Sequence, residues 1–177
     1  MLLENYKPEW VDQFNNIKDA LEEFLQNLNF TIEHVGSTAV PGLDAKPIID
    51  IDIIFYNEND FQLIKTRLEK AGYYHNGNQG IEDRDVFKRD GLQKHGILDT
   101  IPHHLYVCST NSKALERHLL SRNYLRKNEW ARNKYQQMKY EIADRAGQDR
   151  KKYATLKEDL VNNFIDIMIE EERNNQQ

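Results

Sequence analysis

Residues 31–55 read TIEHVGSTAVPGLDAKPIIDIDIIF, two apolar runs parted by a Gly-Ser turn, the second broken at alternate positions by Asp50 and Asp52. Successive side chains on a strand point to opposite faces, so the two aspartates share one face while Ile49, Ile51 and Ile53 share the other. Carboxylates held close together repel unless a hard cation lies between them, and Mg²⁺ takes oxygen ligands of this kind when it also holds phosphates. Strongly apolar flanks predict an interior strand, where unpaired acids are costly, and this disfavours reading the pair as solvated residues on an edge.

Upstream, the predicted strand 31–35 ends in Gly36-Ser37-Thr38, a short turn or helical segment closed by Pro41-Gly42. Glycine lets backbone approach an anion closely, and unpaired N–H groups together with the Ser37 hydroxyl can donate to phosphate oxygens. Gly36, Ser37 and Thr38 are therefore candidate phosphate holders, with Lys46 as a nearby positive charge. The aspartates and the bend together predict a metal-phosphate site.

Gly-Ser, about a dozen residues, then alternating Asp within an apolar strand resembles the signature of the DNA polymerase β-like nucleotidyltransferase superfamily. More narrowly, IEHVGSTAVPGLDAKPIIDI resembles the hallmark of the GrpB family within it. The resemblance implies an α/β (α+β) fold, a nucleotidyltransferase-like mixed β-sheet with covering helices and a C-terminal helical extension. It also implies Mg²⁺ (or Mn²⁺) on Asp50 and Asp52, and a nucleoside triphosphate as ligand. A third carboxylate comes from a later strand in the superfamily, and residues 103–108 offer none. They lie instead in IPHHLYV, which resembles a His-rich strand motif of the family, and His104 becomes the candidate to complete the catalytic and metal set. Asp85 and Asp99 are the other candidate acids, and His103 reads as an ordinary hydrogen-bonding strand residue. Looser likenesses in NYLR, YQQMK and DRKKYATLK carry the resemblance over most of the chain.

Working outward, 8–28 carry Trp10, Phe14, Ile17, Leu21, Leu25 and Leu28 at helical spacing behind a first-turn proline. A helix follows 57–60, with Phe61, Ile64 and Leu68 on one face and Gly72 at its end. Strands are expected at 73–76, 85–89 and 103–108, with 90–100 a turn-rich connection. Beyond the capping cluster 109–112, helices are expected at 112–128, 129–146 and 149–170, the last with Leu156, Leu160, Phe164 and Ile167 or Met168 inward; 171–177 reads as a frayed polar tail. The expected organisation is a core at 1–110 with a helical portion at 111–177 packed on it as one compact unit. Arg122, Arg126, Lys139, Tyr153 and Lys157 have the chemistry to hold phosphate or stack a base, Lys139 and Tyr153 most of all.

The net charge of −5 speaks against a general nucleic-acid binder, but it is unevenly spread. Residues 113–152 hold 12 Lys and Arg against 5 acids, leaving 12 against 24 elsewhere. That basic stretch reads as a solvated helical surface or as a wall facing the acids and holding polyphosphate. No apolar run is long enough to cross a bilayer, the first residues lack a signal-peptide pattern, and the single cysteine, Cys108, forms no intrachain disulfide, so a soluble cytoplasmic protein is expected. Walker loops, zinc-finger spacings and nucleophile elbows are absent. The sequence thus predicts a metal-dependent transferase of nucleoside monophosphate onto a small-molecule or protein acceptor. Its rival is a nucleotide- or phosphate-binding module without turnover, which family likeness to domains fused to dephospho-CoA kinase would link to coenzyme A metabolism.

Overall fold

The computed structural model describes residues 2–174, the side chain of Glu158 excepted. The chain runs α1 (Glu9–Phe24), β1 (Phe30–Val35), β2 (Ile49–Phe55), α2 (Glu58–Lys70), β3 (Tyr73–His75), β4 (Arg84–Arg89), α3 (Gly96–Thr100), β5 (His103–Ser109), α4 (Lys113–Lys127), α5 (Glu129–Arg145) and α6 (Arg150–Asn174), with one 3-10 turn at Ser37–Ala39. The strands form one mixed sheet in the order β1-β2-β5-β4-β3. β2 pairs antiparallel with β1 and parallel with β5, so it is an interior strand, as its apolar composition predicts. The parallel pair needs a long crossover, and α2, the β3–β4 hairpin and α3 supply it.

Parity decides the two faces. Ile49, Ile51 and Ile53 on β2 and Leu105 and Val107 on β5 are fully buried and pack with Trp10, Ile17 and Leu21 of α1 and Ile64 and Leu68 of α2. Each such side chain contributes about 1.5–3 kcal/mol by leaving water. On the other face α4 lies over Ile54 and Cys108 through Leu115, its start capped by the Ser112 hydroxyl accepting the Leu115 N–H. α5 and α6 build a second core with Leu2, Leu3, Val40 and Leu43, so the helical portion grips the segment that follows the Gly-Ser bend.

Some expectations shift. α1 ends at Phe24, before the apolar spacing does, because the backbone turns left-handed at Asn27; Leu25 and Leu28 still pack on the core from the turn beyond. The 90–100 connection contains α3, where His95 accepts the Leu98 N–H. On α6 the inward stripe runs through Tyr153, Val161 and Met168, whereas Leu160 and Ile167 are 40% and 46% exposed. Residues 171–174 are helical rather than frayed: Tyr124 donates to Glu171, and Arg173 pairs with Glu116 at 2.7 Å. The rest of that tail, 175–177, lies outside the described residues. No helix among those described is long and apolar enough to cross a membrane.

Candidate functional site

Asp50 and Asp52 project from the polar face of β2, as alternation requires, and each is held by an imidazole. His104 Nδ1 stands 2.8 Å from Asp50 Oδ1, and the two residues are register partners across β2 and β5. His118 Nδ1 stands 2.8 Å from Asp52 Oδ2, reaching down from α4. Asp52 is 0% exposed, and its Oδ1 has no hydrogen-bond partner among the described residues. A buried carboxylate oxygen without a donor is costly. His118 carried no local mark in the sequence. Its one signal was helical spacing, three residues after the inward Leu115 and four before Arg122.

The Gly-Ser bend meets the first of these acids directly. Gly36 has φ of 72°, and a Cβ placed there would run into Asp50 Oδ2, so both conformation and space require glycine. From α4, Arg122 donates to Glu33 (2.6 Å) and to the His34 carbonyl (2.8 Å), and Arg126 donates to the Ala39 carbonyl (2.8 Å). These two arginines hold the bend's backbone instead of standing free for phosphate. Thr38 is likewise engaged: its buried hydroxyl lies 3.0 Å from His34 Nε2. His34 itself stacks on Phe14, and burial pushes its pKa down to about 4. Gly36 and Ser37 line a cleft of about 630 Å³ together with Asp50, His104 and His118.

The far wall of the cleft is cationic. Lys46 Nζ sits 5.2 Å from the centre of the Tyr153 ring, and Lys139 and Lys157 lie 5.1 and 5.9 Å from that of Tyr135. Lys139, only 1% exposed, donates to the Asp44 carbonyl, and burial holds its pKa well below the ordinary lysine range. Burial, followed by the charge of Lys157, lowers Lys46 as well. Lys46 and Lys157 thus stand beside the phenol rings, while Lys139 spends a donor on the Asp44 carbonyl.

The remaining candidates sit elsewhere. Asp85 faces the opposite side of the sheet, 2.6 Å from His75, and Asp99 pairs with Arg89 at 2.7 Å, so neither is a third acid for the site. His103 also faces away, hydrogen-bonded with Tyr73 and the Ile101 carbonyl. Directly across from Asp52 on β5 stands Tyr106. Among the described residues no three His, Cys, Asp or Glu side chains gather as a complete metal cage. The donor set nevertheless fits a divalent cation that shares its coordination with a ligand, since the partnerless Asp52 Oδ1 and the Asp50 carboxylate are hard oxygens on one rigid strand.

The mixed sheet with its covering helices has a nucleotidyltransferase-like fold, shared with solved structures. The chain is similar to Cid1 in complex with the UTP analogue UMPNPP (TM-score 0.55, 15% identity, 81% of this chain and 43% of that one). It is also similar to a mutant of the Cid1 poly(U) polymerase bound to MgATP (TM-score 0.58, 13% identity, 82% and 46%). At such identity the likeness is one of fold. Residues 1–167 match the family model described as GrpB protein, and the chain belongs to the GrpB family. The crystal structure of conserved protein GrpB from Enterococcus faecalis is similar throughout (TM-score 0.76, 30% identity, 96% of both chains). The chain is similar as well to the glutamate-rich protein GrpB of Alkalihalophilus pseudofirmus (28% identity, 95% of both) and, over part of its length, to a UPF0157 protein of Pseudomonas aeruginosa (35% identity, 87% of this chain). The chain spans 62% of the latter's length and 32% of a UPF0157 protein of Bacillus subtilis.

Proposed function

We propose that the chain is a metal-dependent nucleotidyltransferase, moving a nucleoside monophosphate from a nucleoside triphosphate to a small-molecule or protein acceptor. The observation that carries this reading is the closure of Gly36 onto Asp50, which joins the phosphate-gripping bend and the first acid in one cleft, with Asp52 buried behind the cleft-lining His118. Gly36 and Ser37 bind the terminal phosphates, and Lys46 and Lys157 neutralise them, while Lys139 and Tyr153 wall the cleft beside them. Asp50 and Asp52 would hold Mg²⁺ or Mn²⁺, which when bound polarises phosphoryl oxygens and stabilises charge developing in the transition state. The acceptor oxygen bonds to the α-phosphorus as the bond from that phosphorus to the bridging oxygen breaks, and pyrophosphate departs with the electron pair. His104 keeps Nδ1 on Asp50, which leaves Nε2 to take the acceptor's proton.

The second reading, a nucleotide-binding module without turnover, draws on one observation: no third carboxylate joins Asp50 and Asp52 among the described residues. Incubation of the purified chain with each labelled nucleoside triphosphate and Mg²⁺ or Mn²⁺ separates the two. Pyrophosphate release that Asp52→Asn abolishes supports the transferase. Nucleotide-dependent thermal protection with no pyrophosphate supports the module, and neither effect removes both.

A further inference from the structure

The cleft has a second cationic end. Arg84 opens β4 in register with Cys108, on the same sheet face as His104 and Tyr106. Its guanidinium lies over the Tyr106 ring, 4.6 Å from the centre, and Tyr106 in turn packs on His118. Among the described residues nothing accepts a hydrogen bond from the Arg84 side chain, and its Nε is buried without a partner. The neighbouring arginines differ: Arg122 and Arg126 hold backbone carbonyls, and Arg117 pairs with Asp166 and Asn162. A half-buried guanidinium whose N–H edges meet no acceptor is a costly arrangement, and an anion with paired oxygens matches its fork.

Position gives that anion its place in the reaction. Phosphoryl transfer needs the attacking and leaving oxygens roughly in line across phosphorus. The Gly-Ser bend follows β1, and Lys139 and Lys157 stand at Tyr135 in the core that also holds Val40 and Leu43 just beyond the bend, so on this reading pyrophosphate leaves toward the bend. The nucleophile then enters from the β5–β4 side, where Arg84 stands. We propose that Arg84, braced on Tyr106, binds the phosphate or carboxylate group of a small anionic acceptor. The role of this anion as acceptor rests on the transferase reading, whereas the anion site itself does not.

The test is calorimetric titration of the chain with inorganic phosphate and, separately, with lactate, each alone and then with a saturating non-hydrolysable ATP analogue and Mg²⁺. With nucleotide bound, the wild-type chain takes up one further anion, and the tighter probe identifies the phosphate or the carboxylate class. Arg84→Gln weakens that second binding by about ten-fold or more while nucleotide affinity stays within about two-fold. Arg84→Lys, which retains the charge, binds more tightly than Arg84→Gln, and Lys157→Gln shows the reverse pattern, with weakened nucleotide and an intact second anion. If no nucleotide binds, the transferase reading falls, and Arg84-dependent uptake of phosphate or lactate by the free chain still upholds the anion site. Uptake indifferent to Arg84→Gln, or uptake of neither probe by the nucleotide-bound wild type, overturns it.

Discussion

On one side of β2, Ile49, Ile51 and Ile53 are sealed beneath α1 and α2; on the other, a single residue out of step, Asp50 and Asp52 hold imidazoles from β5 and α4 at the floor of a cleft. The same backbone carries both sets. The isoleucines draw their energy from leaving water, and the aspartates give some of it up by keeping carboxylates in a partly closed space. The contrast teaches that stability and ligand chemistry are written on alternate letters of one strand and are separable by substitution.

Breaking the apolar side costs most. Ile51→Ala leaves a cavity beneath α1 and α2, and denaturant unfolding is expected to show a loss of about 2–5 kcal/mol. On the polar side, Asp52→Asn weakens Mn²⁺ binding by about 100-fold, read by calorimetry. Because Asn keeps the shape and an oxygen that can accept from His118 Nδ1 while the buried charge is removed, the unfolding free energy moves by less than about 1 kcal/mol. Equal losses of stability from the two substitutions would erase the contrast. Gly36→Ala, at the seam between the two sides, combines positive-φ strain with a collision at Asp50 and costs roughly 1–3 kcal/mol of stability along with nucleotide-dependent thermal protection.

The effect that stays hidden at neutral pH is a pH dependence. His34 is neutral in the folded chain down to a pH of about 4, chiefly because it is buried, while in the unfolded chain it takes up a proton near its ordinary value. Its contribution is therefore fully present above pH 6.5 and is lost as pH falls from there toward 4. The loss is on the order of 2 kcal/mol, discounted for residual solvent access. His34→Gln flattens that part of the stability profile, and an unchanged slope would show that other groups set it.

The features legible in sequence were those with short-range signatures. Period-two alternation gave the aspartates one face and the isoleucines the other, and the Gly-Ser bend was readable because only glycine fits a left-handed approach to a neighbouring strand. Lys46, Lys139 and Tyr153, picked out by residue type as candidates to hold phosphate or stack a base, all line the cleft, although no spacing ties them together. His118 and Arg84 were missed because packing of α4 and pairing of β4 place them, and both are long-range events. Arg122 and Arg126, read as phosphate candidates, spend their donors on the carbonyls of His34 and Ala39. On α6 the expected Leu156, Phe164 and Met168 pack on the second core, but Val161 takes the inward place expected of Leu160, and Ile167 faces out, because neighbouring positions fit helical spacing equally well and only the partner helices decide between them.

The central claim is that the Gly36-Ser37 bend and the Asp50–Asp52 pair act as one site for a metal-bound nucleotide. Its most direct measurement is calorimetric titration of the wild-type chain and of Asp50→Asn/Asp52→Asn with a non-hydrolysable ATP analogue, each with and without Mn²⁺. The account predicts saturable one-to-one binding that Mn²⁺ tightens in the wild type, and loss of that Mn²⁺ dependence in the double variant while Lys-dependent residual binding persists. Identical titrations for the two proteins in the presence of Mn²⁺ would contradict it.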